Sequence, residues 1–141
     1  TEELLLRIER IALESYELVD LGTERDGALE TPDQKSFDKI RQILGFIAEH
    51  FRENIDASTI ADNASLHPKY LMSLFKKSTG VTLNQYVQLL RLSYAQALLL
   101  EDDGSILTVA MESGFGSLSH FNRSFRKHTG MKPTEYRLGT R

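Results

Sequence analysis

Residues 74–87 (LFKKSTGVTLNQYV) and 124–137 (SFRKHTGMKPTEYR) are two versions of one phrase. Phe75/Phe125, Lys77/Lys127, Thr79/Thr129, Gly80/Gly130 and Tyr86/Tyr136 are identical between them. An internal repeat constrains a chain more than any local propensity, because both copies must fold into like units. Upstream the match continues at an offset one shorter, with Asp56 set against Ser105 and Ala61 against Ala110. The change of offset falls in the turn before 67 and 117, and turns absorb such changes better than helices.

The repeated units are helical. Residues 2–20 carry Leu4, Leu5, Ile8, Ile11, Ala12, Leu18 and Val19 at amphipathic helical spacing. Residues 21–35 are polar, contain Gly22, Gly27 and Pro32, and read as a linker. The linker closes on a start signal in which Thr31 caps, Pro32 takes the first helical position and Gln34 reaches back. A helix follows to about Phe51, with Phe37, Ile40, Leu44, Ile47 and Phe51 on one face. Further helices are expected near 57–64, 68–79, 83–101, 106–113, 118–129 and 134–138. No stretch alternates apolar and polar residues over a strand length, so the fold class is all-α.

Each unit reads as a short helix, a tight turn and a longer helix, the helix-turn-helix arrangement. In the second unit Ala110 lets the next helix cross closely, and Gly114 supplies the φ > 0 that the turn needs. Phe115 plugs the gap, Ser117 caps the following helix, and Phe121 and Phe125 face the core. In the first unit Ser65 stands where the second has its turn glycine, at a cost of roughly 1 kcal/mol. His67 stands at the cap position, Pro68 sets the first helical φ, and Leu71, Leu74 and Phe75 face inward.

Charge is divided along the chain. Residues 1–65 carry a net −8 and residues 66–141 a net +5, which together give the whole-chain −3. The basic half is the one that holds the longer helices of both units, so the overall acidity does not exclude nucleic acid. Cysteine is absent, which excludes a disulfide framework, thiol catalysis and a cysteine-ligated zinc site. His50, His67, His120 and His128 form no metal-ligand spacing, and no phosphate-cradling loop or nucleophile motif is present. No enzyme activity, cofactor or metal is expected. No apolar run is long enough to span a membrane.

Short polar residues and arginine on the outer face of 118–129 suit the reading of base edges. Ser119, His120, Asn122, Arg123 and Arg126 are expected on that open face, with Lys69, Met72, Ser73, Lys76 and Lys77 on the outer face of 68–79. The helix between the units, at 1.5 Å per residue, is roughly 28 Å long. Recognition helices so separated suit successive major grooves, about 34 Å apart.

The stretch from about Ser36 to Arg137 resembles the DNA-binding domain of the AraC/XylS family of bacterial transcription regulators. The second half carries the resemblance through Ser105-Ile106, Val109-Ala110, Gly114-Phe115, Ser119, Phe121, Arg123, Phe125, Lys127, Thr129-Gly130, Pro133 and Tyr136-Arg137. The first half carries it through Ile60-Ala61, Tyr70-Leu71, Leu74-Phe75-Lys76-Lys77, Thr79-Gly80, Tyr86 and Arg91-Leu92. Ser65 and His67 depart from the family's usual glycine and serine. Leu44-Gly45-Phe46-Ile47-Ala48-Glu49 is also similar to the melibiose-regulator subgroup.

The resemblance implies two homeodomain-like helix-turn-helix subdomains, 36–82 and 102–141, joined by a linker helix at 83–101. Residues 1–35 then follow a missing N-terminal sensor and dimerisation domain that binds a small effector. The implied function is sequence-specific binding of double-stranded DNA by a cytoplasmic, nucleoid-associated regulator, an activator that recruits RNA polymerase through its σ subunit and works as a homodimer. Base contacts are expected from Lys69, Met72, Ser73, Ser119, His120, Asn122 and Arg123. Backbone contacts are expected from His67, Lys76, Lys77, Ser117, Arg126 and Lys127. The competing expectation is a helical protein-interaction module without direct DNA contact, which the acidic half favours.

Overall fold

A computed structural model of the chain describes residues 34–101 and 103–139. The expected helix at 2–20, the linker as far as residue 33, the Thr31 and Pro32 start signal and Asp102 lie outside the described residues. Within them are seven helices: α1 (Gln34–His50), α2 (Ala57–Asn63), α3 (Pro68–Thr79), α4 (Leu83–Glu101), α5 (Ile106–Glu112), α6 (Leu118–Thr129) and α7 (Pro133–Gly139). The all-α expectation holds, and among the described residues no strand is present. None of these helices is long and apolar enough to cross a membrane.

The helices fall into two compact units, the first running to His50 and resuming from Ile55 to Val87. The second combines Phe51–Asn54 with the chain from Gln88 onward. The expected linker helix is therefore one continuous helix, α4, whose start belongs to the first unit and whose remainder belongs to the second.

In the first unit α1 packs on α2 and α3, and α2 packs on α3. The α1 residues Ile40, Ile43, Leu44 and Ile47 are buried, as the three-four spacing requires. Ile60, Ala61, Leu71 and Phe75 are buried as well, and Phe75 meets the Tyr86 ring edge-on at 5.5 Å. The Tyr86 phenol is deep enough that burial pushes its pKa up. Gln42 donates to the Asn63 carbonyl at 2.9 Å, and Lys39 donates to the Ala64 carbonyl. These two side chains satisfy orphan acceptors at the C-terminal end of α2.

The core of the second unit is Leu92, Ala95 and Leu99 of α4, Val109 and Ala110 of α5, Phe115, and Phe121 and Phe125 of α6. Phe115 is buried and packs edge-on against Phe121 at 5.1 Å, which is the plug expected from its place after the turn. The Phe121–Phe125 and Phe125–Tyr136 ring pairs continue the stack toward α7, at 5.5 Å and 5.4 Å.

The repeat is visible in hydrogen bonds as well as in sequence. Asp56 accepts from the Thr59 backbone N–H at 2.8 Å, and Ser105 accepts from the Thr108 N–H at 3.1 Å, so both short helices are capped alike. These bonds hold the Asp56 carboxyl below the usual carboxylate range. In both turns a backbone N–H reaches back five residues, Leu66 to Ala61 at 2.9 Å and Phe115 to Ala110 at 3.0 Å. Both long helices end on a left-handed glycine, Gly80 at φ 82° and Gly130 at φ 78°. The preceding threonine locks each end: Thr79 Oγ1 lies 2.7 Å from the Phe75 carbonyl and Thr129 Oγ1 lies 2.8 Å from that of Phe125. Helix α4 then opens on a reciprocal cap, with Thr82 N–H donating to Gln85 and Gln85 N–H to Thr82.

Candidate nucleic-acid interface

In each unit the helix after the turn presents one open face. On α6, Phe121 and Phe125 are buried while Ser119, Asn122, Arg123, Arg126 and Lys127 are exposed. Spacing by three and four places Ser119, Asn122, Arg123 and Arg126 on one side. On α3, Leu71, Phe75 and Ser78 are buried while Lys69, Met72, Ser73, Lys76 and Lys77 are exposed.

The N-terminal ends of both helices are built for outward hydrogen bonding. Ser117 accepts from the His120 backbone N–H at 3.1 Å, the cap expected of it, and its hydroxyl proton is left to donate elsewhere. His67 caps α3 by accepting from the Lys69 N–H at Nδ1, 3.2 Å away. That bond puts the ring proton on Nε2, so the exposed imidazole offers a donor to whatever approaches the helix end. The last turns carry Lys76 and Lys77 on α3 and Arg126, Lys127 and His128 on α6, which complement the negative ends of the helix dipoles.

His120 departs from the open face expected of it. It is half-buried, its Nε2 lies 3.0 Å from the Gln88 amide nitrogen, and its ring packs on the edge of Phe115 at 5.5 Å. The reason is angular: His120 precedes the buried Phe121 by one residue and turns toward α4 rather than away from the core. With its proton on Nδ1, the imidazole accepts the Gln88 N–H.

The second unit also holds a clamp that sequence reasoning passed over. Arg91 donates to the Phe51 carbonyl at 2.7 Å and to the Glu53 carbonyl at 3.0 Å, and burial pulls its pKa down. Arg52 donates to the Glu112 carbonyl at the end of α5, at 2.7 Å, and its guanidinium lies 4.5 Å over the Tyr94 ring. The segment 51–54 is thus held against the turn between α5 and α6. The available signal was Arg91 itself, a lone cation inside the otherwise uncharged run from Leu83 to Leu100. Gly114 sits at this contact with φ +101°, and a Cβ there would lie 2.8 Å from the Phe51 carbonyl oxygen. Ser65, its counterpart, has the left-handed φ of 54° but is exposed. The first turn therefore demands an unusual backbone angle and no missing side chain, which is why serine is tolerated there.

A family model described as a helix-turn-helix domain matches residues 60–139. The melibiose operon regulatory protein of Escherichia coli (strain K12) is 30% identical over 136 residues, which cover 96% of this chain and 45% of that protein. The chain belongs to the AraC family of helix-turn-helix regulators. This AraC-family chain is also similar to the crystal structure of an AraC-type transcriptional regulator from Chromobacterium violaceum. The TM-score is 0.67 at 28% identity, over 73% of this chain and 92% of that one. The DNA-binding domain of AdpA, crystallised with a target DNA, matches with a TM-score of 0.67 at 29% identity, over 70% of this chain and 89% of that one. The AraC-family chain spans less than half the length of the melibiose regulator it matches.

Proposed function

We propose that this chain is the DNA-reading part of a transcription activator, in which α3 and α6 each enter a major groove of adjacent duplex segments. The observation that carries the reading is the open face of α6, where exposed Ser119, Asn122, Arg123 and Arg126 stand over a fully buried Phe121 and Phe125. A rigid aromatic core beneath short and forked polar groups is what base-edge recognition needs. Arg123 and Asn122 supply bidentate ends for guanine and adenine, and Ser119, Lys69, Met72 and Ser73 complete the base-facing set. His67, Ser117, Lys76, Lys77, Arg126 and Lys127 hold phosphates, the two caps through their free donors and the others by charge. His120 acts as a positioning residue, tying the first turn of α6 to Gln88 of α4. In the whole protein, an N-terminal domain binds a small effector and pairs two copies, and the DNA-bound form contacts RNA polymerase at its σ subunit. The protein then works in the cytoplasm, at the nucleoid.

Two variants separate base reading from phosphate holding. Arg123→Ala is expected to lose about 1–3 kcal/mol of specific affinity and to relax preference at one base pair. Lys77→Ala is expected to weaken all sequences alike and to flatten the salt dependence by about 1 in log–log slope. Competition binding against single-base variants of a selected duplex reads both. An unchanged base preference in Arg123→Ala, or a sequence-selective loss in Lys77→Ala, would contradict these assignments.

A further inference from the structure

The two recognition helices share a scaffold and differ in their readers. Superimposing the repeats in sequence places Lys69 with Ser119, Met72 with Asn122, Ser73 with Arg123 and Lys76 with Arg126. All eight are exposed. On α6 the central pair, Asn122 and Arg123, has the planar ends that pair bidentately with adenine and guanine. On α3 the corresponding pair is Met72 and Ser73, and no arginine, asparagine or glutamine occurs anywhere on that helix. Its outer face is instead centred on a thioether that is 47% exposed, with Lys69 and Lys76 three and four residues away on the same side.

Only one base feature in the major groove is recognised by an apolar side chain, the C5-methyl group of thymine. The flanking lysines draw a polyanion onto this face rather than an apolar protein surface. We propose that the first unit specifies thymine, through Met72 packed on the thymine methyl, while the second unit specifies its segment by hydrogen bonds. The proposal rests on the DNA-binding reading above and adds the base class that the first unit takes. The unbranched thioether has the reach and adaptability to settle on a methyl group without a fixed hydrogen-bond geometry.

The test uses the 141-residue chain, its Met72→Ala variant, and a duplex selected by the wild-type chain from a random pool. Arg123→Ala first maps the segment read by the second unit, and the other segment belongs to the first. Each thymine is then replaced singly by deoxyuridine, which removes the methyl group and nothing else. The expected result is one position in the first unit's segment where deoxyuridine weakens wild-type binding about fourfold, the value of one buried methyl. At that position Met72→Ala is expected to bind thymine and deoxyuridine duplexes equally. The proposal is overturned if every deoxyuridine duplex binds the wild type like its parent, or if the penalty persists in Met72→Ala. A first segment without thymine overturns it as well. Failure to bind any duplex would instead sink the DNA-binding reading, and this inference with it. Because Met72 is exposed, the variant keeps its core, which equal thermal unfolding of the two chains verifies.

Discussion

Gly114→Ala is expected to destabilise the second unit by about 3 kcal/mol, the sum of left-handed backbone strain and overpacking. Gly114 holds φ +101°, and an added Cβ would meet the Phe51 carbonyl oxygen at 2.8 Å and Arg52 Cα and Arg91 Nε at 2.9 Å. Two of those neighbours are backbone atoms, and Arg91 is fixed by its bonds to the Phe51 and Glu53 carbonyls, so none can step aside cheaply. Gly80 and Gly130 also have positive φ, yet a Cβ at either meets nothing within 4 Å. Alanine at those two positions should cost only the backbone strain, roughly 1 kcal/mol. Ser65→Gly runs the other way: it relieves strain but adds unfolded-chain entropy, for a net stabilisation of about 0.5 kcal/mol. Urea unfolding, with amide hydrogen exchange followed separately in α3 and α6, reads all four variants. Equal losses for Gly114→Ala and Gly130→Ala would contradict the packing argument.

Raising salt from about 50 to about 200 mM is expected to weaken duplex binding more than about a hundredfold. Lys76, Lys77, Arg126 and Lys127 are exposed in the last turns of the two recognition helices. If each neutralises one phosphate, the log–log slope is about −3.6, at roughly −0.9 per phosphate. The whole-chain charge of −3 does not oppose this, because the excess acid lies before residue 66, ahead of both recognition helices. Retardation of a labelled duplex across a salt series measures the slope. A slope near zero would point to a protein-interaction module instead.

Most of the fold was legible because its punctuation is chemical. Gly80 and Gly130 mark helix ends through a backbone angle that few residues adopt, and both end helices where expected. Asp56, Ser105 and Ser117 mark helix starts through side-chain acceptors, and each caps as its position implied. Three- and four-residue spacing sorted Phe121 and Phe125 to the core and Asn122 and Arg123 to the surface.

What stayed hidden depended on contacts distant in sequence. Nothing near Phe51–Asn54 says that it joins the second unit, because that follows from Arg91, 38 residues beyond Glu53. His120 sits at the boundary of the polar stripe, where periodicity alone cannot tell a groove-facing ring from one turned to Gln88. Gly114 was legible as a turn glycine, whereas the backbone pressed against it from Phe51 and Arg52 was not.

Selection of bound duplexes from a random pool, repeated at two salt concentrations, asks whether both units read bases in double-stranded DNA. The expected result is enrichment of one asymmetric site made of two adjacent major-groove segments, the second with fixed purine positions set by Asn122 and Arg123, and affinity that falls steeply with salt. No enrichment, together with retardation that ignores salt, would contradict it.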